Sequence, residues 1–317
     1  MDMKKLYVVD NDGIRKLTLT EGLKLFGYPD DYKFEINLEN RFDLLGNTVA
    51  VPVIKAVSER VLELWNKNKI EYYEINSTRS LQQVVLEDKI LEVKGQIKFY
   101  LENVSIIVKQ RDVVGNIMQE WLEGWFKQNN IKYKLNLNSQ MPPDFYLDQN
   151  DYTNDLLEVK AFNYDATPGF DIADFNAYQS EIIDKLYMLH TKYLIFGYQM
   201  QEDGFVVIKK LWLQNLWEIC RRMGNWPLNL QIKDKVVHKI RPCTWYSKGK
   251  SVRYKPFEKL EDFISAMEQT VYQNPKTREK SGEWLNQFTK SYEKQYSIKL
   301  KIPRWNDIEE LYVSKKN

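Results

Sequence analysis

A chain of 317 residues with 43% hydrophobic and 14% aromatic content carries enough apolar material for a sizeable core, which excludes a disordered chain. No run reaches the roughly 18 apolar residues of a membrane helix, MDMKKLYVVD lacks a secretory core, and two cysteines (Cys220, Cys243) cannot build a disulfide framework or a four-thiolate zinc site, so a cytoplasmic protein without a membrane partner is expected. The net charge of +2 conceals a block, residues 221–257, with ten Lys/Arg against one acid, which leaves the remainder near −7 and points to a polyanionic partner.

In RKLTLTEGLKLFGYPDDYKF, residues 15–34, Thr18 and Glu21 form a capping-box pattern ahead of Leu19, Leu23 and Phe26, and Gly27 is a stop signal. A short helix and a loop are expected. Gly46-Asn47 signals a turn, and from Pro52 to about Lys67 the residues Val53, Ile54, Val57, Val61, Leu64 and Trp65 recur at helical spacing. In order and spacing this stretch and GNTVAVPVI, residues 46–54, resemble the last two conserved blocks of the DNA cytosine methyltransferase family. The family's nucleophilic cysteine follows a proline, and its cofactor site opens with a glycine-rich turn. Here Pro242-Cys243 and Glu102-Asn103-Val104 come after the terminal blocks and in inverted order, and no such glycine turn is present. No methyl transfer is expected from this chain alone.

Further along, residues 77–91 suggest a helix and Gln96 to Val108 is rich in strand formers. Ile117, Met118, Trp121, Leu122, Trp125 and Phe126 mark an amphipathic helix ending near Asn129-Asn130. Alternation of Tyr133, Leu135 and Leu137 predicts a strand, and DLLEVKAF, residues 155–162, another. A helix from about Ala173 to His190 is expected to turn Phe175, Tyr178, Ile182, Leu186 and Leu189 inward, followed by the strands KYLIFGY and GFVVIKK. This order predicts an α/β fold, a mixed β-sheet flanked by helices, with a small helical N-terminal segment. The boundaries expected are 1–67 and 68–317.

The chemistry concentrates in MPPDFYLDQNDYTNDLLEVKAF, residues 141–162. Glu158 and Lys160 are two apart in a strand and leave the same face of the sheet, and Asp144 after two prolines can come alongside from the adjoining strand. Two converging carboxylates suit Mg²⁺, a hard cation that takes few protein ligands, and a neighbouring lysine can orient a water and offset charge developing on phosphorus. E-x-K also occurs at Glu87-Asp88-Lys89 and Glu92-Val93-Lys94, but neither has a P-D at a useful distance upstream. Two histidines, His190 and His238, give no ββα-metal or Ser-His-Asp arrangement, and no phosphate-binding loop is present.

The P-D, spacer, E-V-K pattern resembles the PD-(D/E)xK nuclease core of many type II restriction endonucleases. The resemblance implies Asp144 and Glu158 as metal ligands, Lys160 as the catalytic lysine, Mg²⁺ as cofactor and double-stranded DNA as substrate. Residues 155–260, with Phe170-Asp171-Ile172-Ala173 after the E-V-K strand, also resemble the NgoBV/NlaIV group, which implies a GC-rich palindromic target such as GGNNCC and hence a homodimer. Nuclease and methyltransferase are neighbours in restriction-modification systems, so a fusion or split gene accounts for both resemblances. The DNA-binding candidates are Arg221, Arg222, Arg241, Lys248, Lys250, Arg253 and Lys255, with Arg241 and Arg253 as base readers and Lys248 and Lys250 as backbone clamps. The alternatives are a subunit that completes a split cytosine methyltransferase with a cognate partner, and a DNA-binding module without catalysis.

Overall fold

The computed structural model describes residues 7–11, 13–33, 50–67, 77–87, 90–138, 141–148, 150–247 and 253–314. The turn expected at Gly46-Asn47, the Asp88-Lys89 pair and the two clamp candidates Lys248 and Lys250 lie outside these residues. The chain divides into two compact units, Met1–Tyr72 and Tyr73–Asn317.

In the first unit a hairpin of β1 (Tyr7–Asp10) and β2 (Gly13–Lys16) leads into α1 (Leu19–Leu25). The capping box is formed as expected: the Thr18 hydroxyl accepts from the Glu21 N–H, and the Glu21 carboxylate accepts from the Thr18 N–H at 2.9 Å. Gly27 adopts φ +76°, and a Cβ there would stand 2.6 Å from Cδ of Pro52, so the loop after α1 needs glycine both for its backbone and for close approach to that ring. α2 (Val51–Lys67) exposes an apolar stripe of Val53, Ile54, Val57 and Val61.

The second unit is built on a six-stranded mixed sheet in the order β3-β11-β10-β8-β7-β6. Its strands are β3 (Lys94–Gln96), β6 (Lys134–Leu135), β7 (Phe145–Tyr146), β8 (Leu156–Asn163), β10 (Lys192–Met200) and β11 (Phe205–Asn215). β8 and β10 run parallel and the other neighbours antiparallel. The parallel pair is central, and its residues feed two cores in alternation. Leu157, Val159, Leu194 and Phe196 face the helices α3 (Thr78–Glu87) and α4 (Arg111–Gln128), which bury Leu81, Val85, Val114, Met118, Leu122 and Phe126. Phe162, Tyr193 and Ile195 face the opposite core. That core also takes in α7 (Leu260–Gln273), α8 (Ser281–Tyr296) and α9 (Trp305–Ile308), with a short sheet of β9 (Ala173–Asp174), β12 (Leu230–Lys233) and β13 (Val236–Ile240). The mixed sheet flanked by helices is as predicted.

Three predicted elements differ in detail. The stretch from Ala173 to His190 is not one helix: Ala173–Asp174 pairs with β13, α5 spans Phe175–Glu181 and α6 spans Tyr187–His190. The β-branched pair Ile182-Ile183 followed by Asp184 is a run of weak helix formers, and tertiary packing decides there. The five apolar side chains are nevertheless all buried, as the periodicity required. Within Gln96 to Val108, Gln96 ends β3 while β4 (Lys98–Leu101) and β5 (Val104–Ile107) pair as a separate hairpin, with Glu102 at φ +51° in the turn. The Glu102-Asn103-Val104 tripeptide is therefore a turn and the start of a strand. The strand expected over Tyr133–Leu137 shrinks to Lys134–Leu135, and Leu137 is fully exposed.

Candidate active site

The β7–β8 pairing builds the site. Phe145 stands opposite Leu157 and Tyr146 opposite Leu156, so the next step of the antiparallel register sets Asp144 beside Glu158. Asp144 leaves the cis Pro142-Pro143 bond at the head of β7, and its Oδ2 accepts the Val159 N–H at 2.7 Å. Glu158 and Lys160 share one face of β8, as the period of two requires, and Lys160 Nζ lies 2.6 Å from Glu158 Oε1. All three line one cleft of about 820 Å³, whose lining also includes Asp112, Asn116 and Gln119 of α4. Sequence reasoning missed those three; a polar stripe at i, i+4 and i+7, opposite the apolar stripe of the same helix, was the available signal.

Burial and the neighbouring Glu158 carboxylate raise the Asp144 carboxyl from its ordinary 3.8 to about 7, against the opposing pull of the Val159 N–H and Lys160. For Lys160 burial works in the lowering direction, but Glu158, Asp144 and Asp171 more than offset it, and its pKa is raised. Lys160 is thus a charged donor at neutral pH. Glu158 is buried, 6% exposed, and its Oε2 has no hydrogen-bond partner. An unmet buried carboxylate oxygen next to a second, crowded carboxylate is an unfavourable arrangement that a divalent cation would relieve, and the oxygen donor set suits a hard ion. Of the control tripeptide Glu92-Val93-Lys94 only the exposed Lys94 lies in a strand, the outer β3, which β11 and β10 separate from β8, while Glu92 ends a 3-10 turn.

The basic candidates separate into groups. Arg241 engages Asp171, and Arg221 donates to the Tyr254 carbonyl at 3.4 Å; both line a second cleft. Arg222 is held inside the protein by Glu309 at 3.1 Å and by the rings of Tyr254 and Trp305, with 13% of its side chain exposed, and does not join an open basic face. Arg253 and Lys255 are exposed. The aromatic residues among them turn inward: Tyr254 is buried, and Trp245 and Tyr246 pack with Phe162 and Trp212. His190 ends α6 and pairs with the Tyr292 hydroxyl at 3.1 Å, away from any catalytic constellation.

Comparison with known proteins identifies the family. Residues 74–312 match the NgoBV restriction endonuclease family, and residues 2–63 match the C-5 cytosine-specific DNA methylase family. The type II restriction enzyme NlaIV of Neisseria lactamica is 55% identical over 229 residues, 72% of this chain and 94% of the relative. The solved structure of NlaIV restriction endonuclease superposes with a TM-score of 0.72 at 51% identity, covering 77% of this chain and 98% of that one. The type II methyltransferase M.NlaIV of Neisseria lactamica is 71% identical over 62 residues, which is 20% of this chain and 15% of the methyltransferase. The chain therefore belongs to the NgoBV restriction endonuclease family: it is a type II restriction endonuclease, a site-specific deoxyribonuclease, with a C-5 methylase segment in its N-terminal residues.

Proposed function

We propose that Asp144, Glu158 and Lys160 are the catalytic residues for phosphodiester hydrolysis in double-stranded DNA, with Asp144 and Glu158 holding Mg²⁺. The observation that carries this reading is the convergence of the three on one cleft with the Glu158 Oε2 left unmet. When bound, the cation would supply Lewis-acid polarisation of the scissile phosphate. Lys160 stays protonated beside Glu158 and donates toward phosphoryl oxygens, where its charge offsets the negative charge that grows as water attacks. Asp144, anchored by the Val159 N–H, cannot swing away from the cleft. Asp144→Ala, Glu158→Ala and Lys160→Ala are each expected to abolish Mg²⁺-dependent plasmid cleavage with the fold and DNA binding kept, while Lys94→Ala leaves the rate unchanged. Wild-type cleavage by Lys160→Ala would overturn the assignment.

Arg221, Arg241, Arg253 and Lys255 form the DNA-binding set in this reading, and Lys248 and Lys250 belong to the same basic block. One chain offers one such cleft, and a double-strand cut needs two, so a homodimer is the working form. Two free, buried cysteines suit a reducing cytoplasm. The nuclease occupies residues 68–317. Residues 1–67 are a separate methylase segment that could complete a cognate cytosine methyltransferase, a second role favoured by the exposed stripe on α2. Methyl transfer restored by adding this chain to a methyltransferase truncated of the matching segment tests that role; no restoration overturns it.

A further inference from the structure

Asp171 sits where the two clefts meet. Its Oδ2 takes Lys239 Nζ at 3.0 Å and its Oδ1 takes Nη1 of Arg241. Lys239 lines the catalytic cleft and Arg241 the second cleft, of about 410 Å³, and Thr167 lines both. Among the described residues the charged side chains lining this second cleft are Arg221 and Arg241, with Asn229 and Gln231 beside them. A cleft furnished with guanidinium and amide groups fits the edges of bases or a phosphate. Asp171 is itself fixed: the next residue, Ile172, donates its N–H to the Ile240 carbonyl at 3.0 Å, and Ala173 pairs with Ile240. The acid and both cations are each between 31% and 40% exposed, so they remain open to a ligand.

Resting on the nuclease reading above, we propose that Asp171 is a positioning residue for target recognition: one carboxylate holds Arg241 toward the second cleft, as a base reader, and Lys239 toward the scissile phosphate. Lys239 lies near the end of β13 and Arg241 just past it, and the two cations would repel if left alone. The carboxylate spaces them and leaves the cluster at net +1. One Arg241 donor is spent on Asp171, and the rest of the guanidinium fork is free to reach guanine. Replacing Asp171 by Asn keeps the shape but frees both cations to follow any phosphate, which raises sequence-independent affinity and weakens discrimination.

The test measures binding of the full chain, in a Lys160→Ala background, to a duplex bearing the mapped target and to duplexes with one base pair of it changed. Asp171→Asn is expected to tighten binding to the changed duplexes and lower the discrimination ratio about tenfold at the base pair Arg241 reads. Arg241→Ala should lower the ratio at the same base pair, and the double variant should lose no more than the larger single loss. A merely structural Asp171 would weaken all duplexes alike, and an unchanged ratio or a uniform loss overturns the proposal. If Asp171→Asn does not fold, Arg241→Gln reads the same ratio, and an unchanged value there also overturns it. Cleavage by the Lys160→Ala background would instead sink the catalytic assignment and leave the recognition result standing.

Discussion

Asp144 carries a load that pH should reveal. In the metal-free protein its carboxyl titrates near 7, against 3.8 ordinarily. Between these values the folded protein keeps a proton that the unfolded chain releases, so the group's contribution to stability is fully present below about pH 4 and lost as pH rises through about 7. Each pH unit is worth about 1.4 kcal/mol, so the loss is roughly 4 kcal/mol by pH 8. Asp144→Asn keeps an acceptor for the Val159 N–H and removes the charge. Denaturant unfolding in a chelator should therefore show the variant gaining on the wild type between pH 4 and pH 8; an equal difference at both pH values would contradict the crowded-carboxylate picture. The basic residues separate at the same scale. Lys255→Ala should flatten the log-log salt dependence of DNA binding by about 0.9. Arg222→Ala should leave the slope alone and cost stability, because it strips Glu309 of its partner. A flattened slope for Arg222→Ala would return that residue to the DNA-binding set.

Among the elements, the hairpin of β4 and β5 stands out because, among the described residues, one of its faces has no partner. Phe99, Leu101, Val104 and Ile106 lie on the same side by the alternation of the register and are 53% to 65% exposed. A two-stranded hairpin with an open apolar face is marginal in water, and this one continues through three residues into α4, which lines the catalytic cleft. On the homodimer reading proposed above, a second copy of the chain is the occupant expected here. Phe99→Glu with Ile106→Glu should leave the monomer folded, shift sedimentation from dimer to monomer at micromolar concentration, and convert double-strand cutting to nicking. A wild-type monomer with or without DNA, or a dimeric variant, would refute this. The elements also show what a sequence can and cannot disclose. β8 was legible because Leu157 and Val159 alternate with Glu158 and Lys160, and because the prolines before Asp144 mark the preceding turn. β9 was not: Ala173-Asp174 reads as the start of a helix, since Asp174 does cap α5, and its pairing with β13 depends on residues far away. The Asp171–Arg241 contact bridges 70 residues through that pairing, so no local pattern announces it.

For the molecule as a whole, two families meet in one chain, and the question is whether both chemistries are present. Methyl transfer to cytosine needs a thiolate that can reach a base and a bound methyl donor. The residues that match the methylase family, 2–63, contain no cysteine. Pro242-Cys243 lies in the nuclease unit, where Cys243 is 2% exposed and burial pushes its thiol up to about 12, against a smaller lowering by Arg221. Cys220 is fully buried, and burial and the Cys243 thiol push its pKa well above the ordinary thiol value. At pH 7.5 the thiolate fraction of Cys243 is on the order of one in 10⁴ to 10⁵, and although Cys243 belongs to the lining of the second cleft, almost none of it reaches the surface and its N–H is tied to the Ile219 carbonyl at 2.8 Å. The Lys160→Ala protein, incubated with unmodified DNA and labelled S-adenosylmethionine, is therefore expected to leave the DNA unlabelled, and a thiol reagent should modify neither cysteine until denaturant is added. Labelling by the purified chain, or rapid modification of Cys243 in the folded state, would mean that this cysteine is an exposed nucleophile and that the chain holds a second active centre.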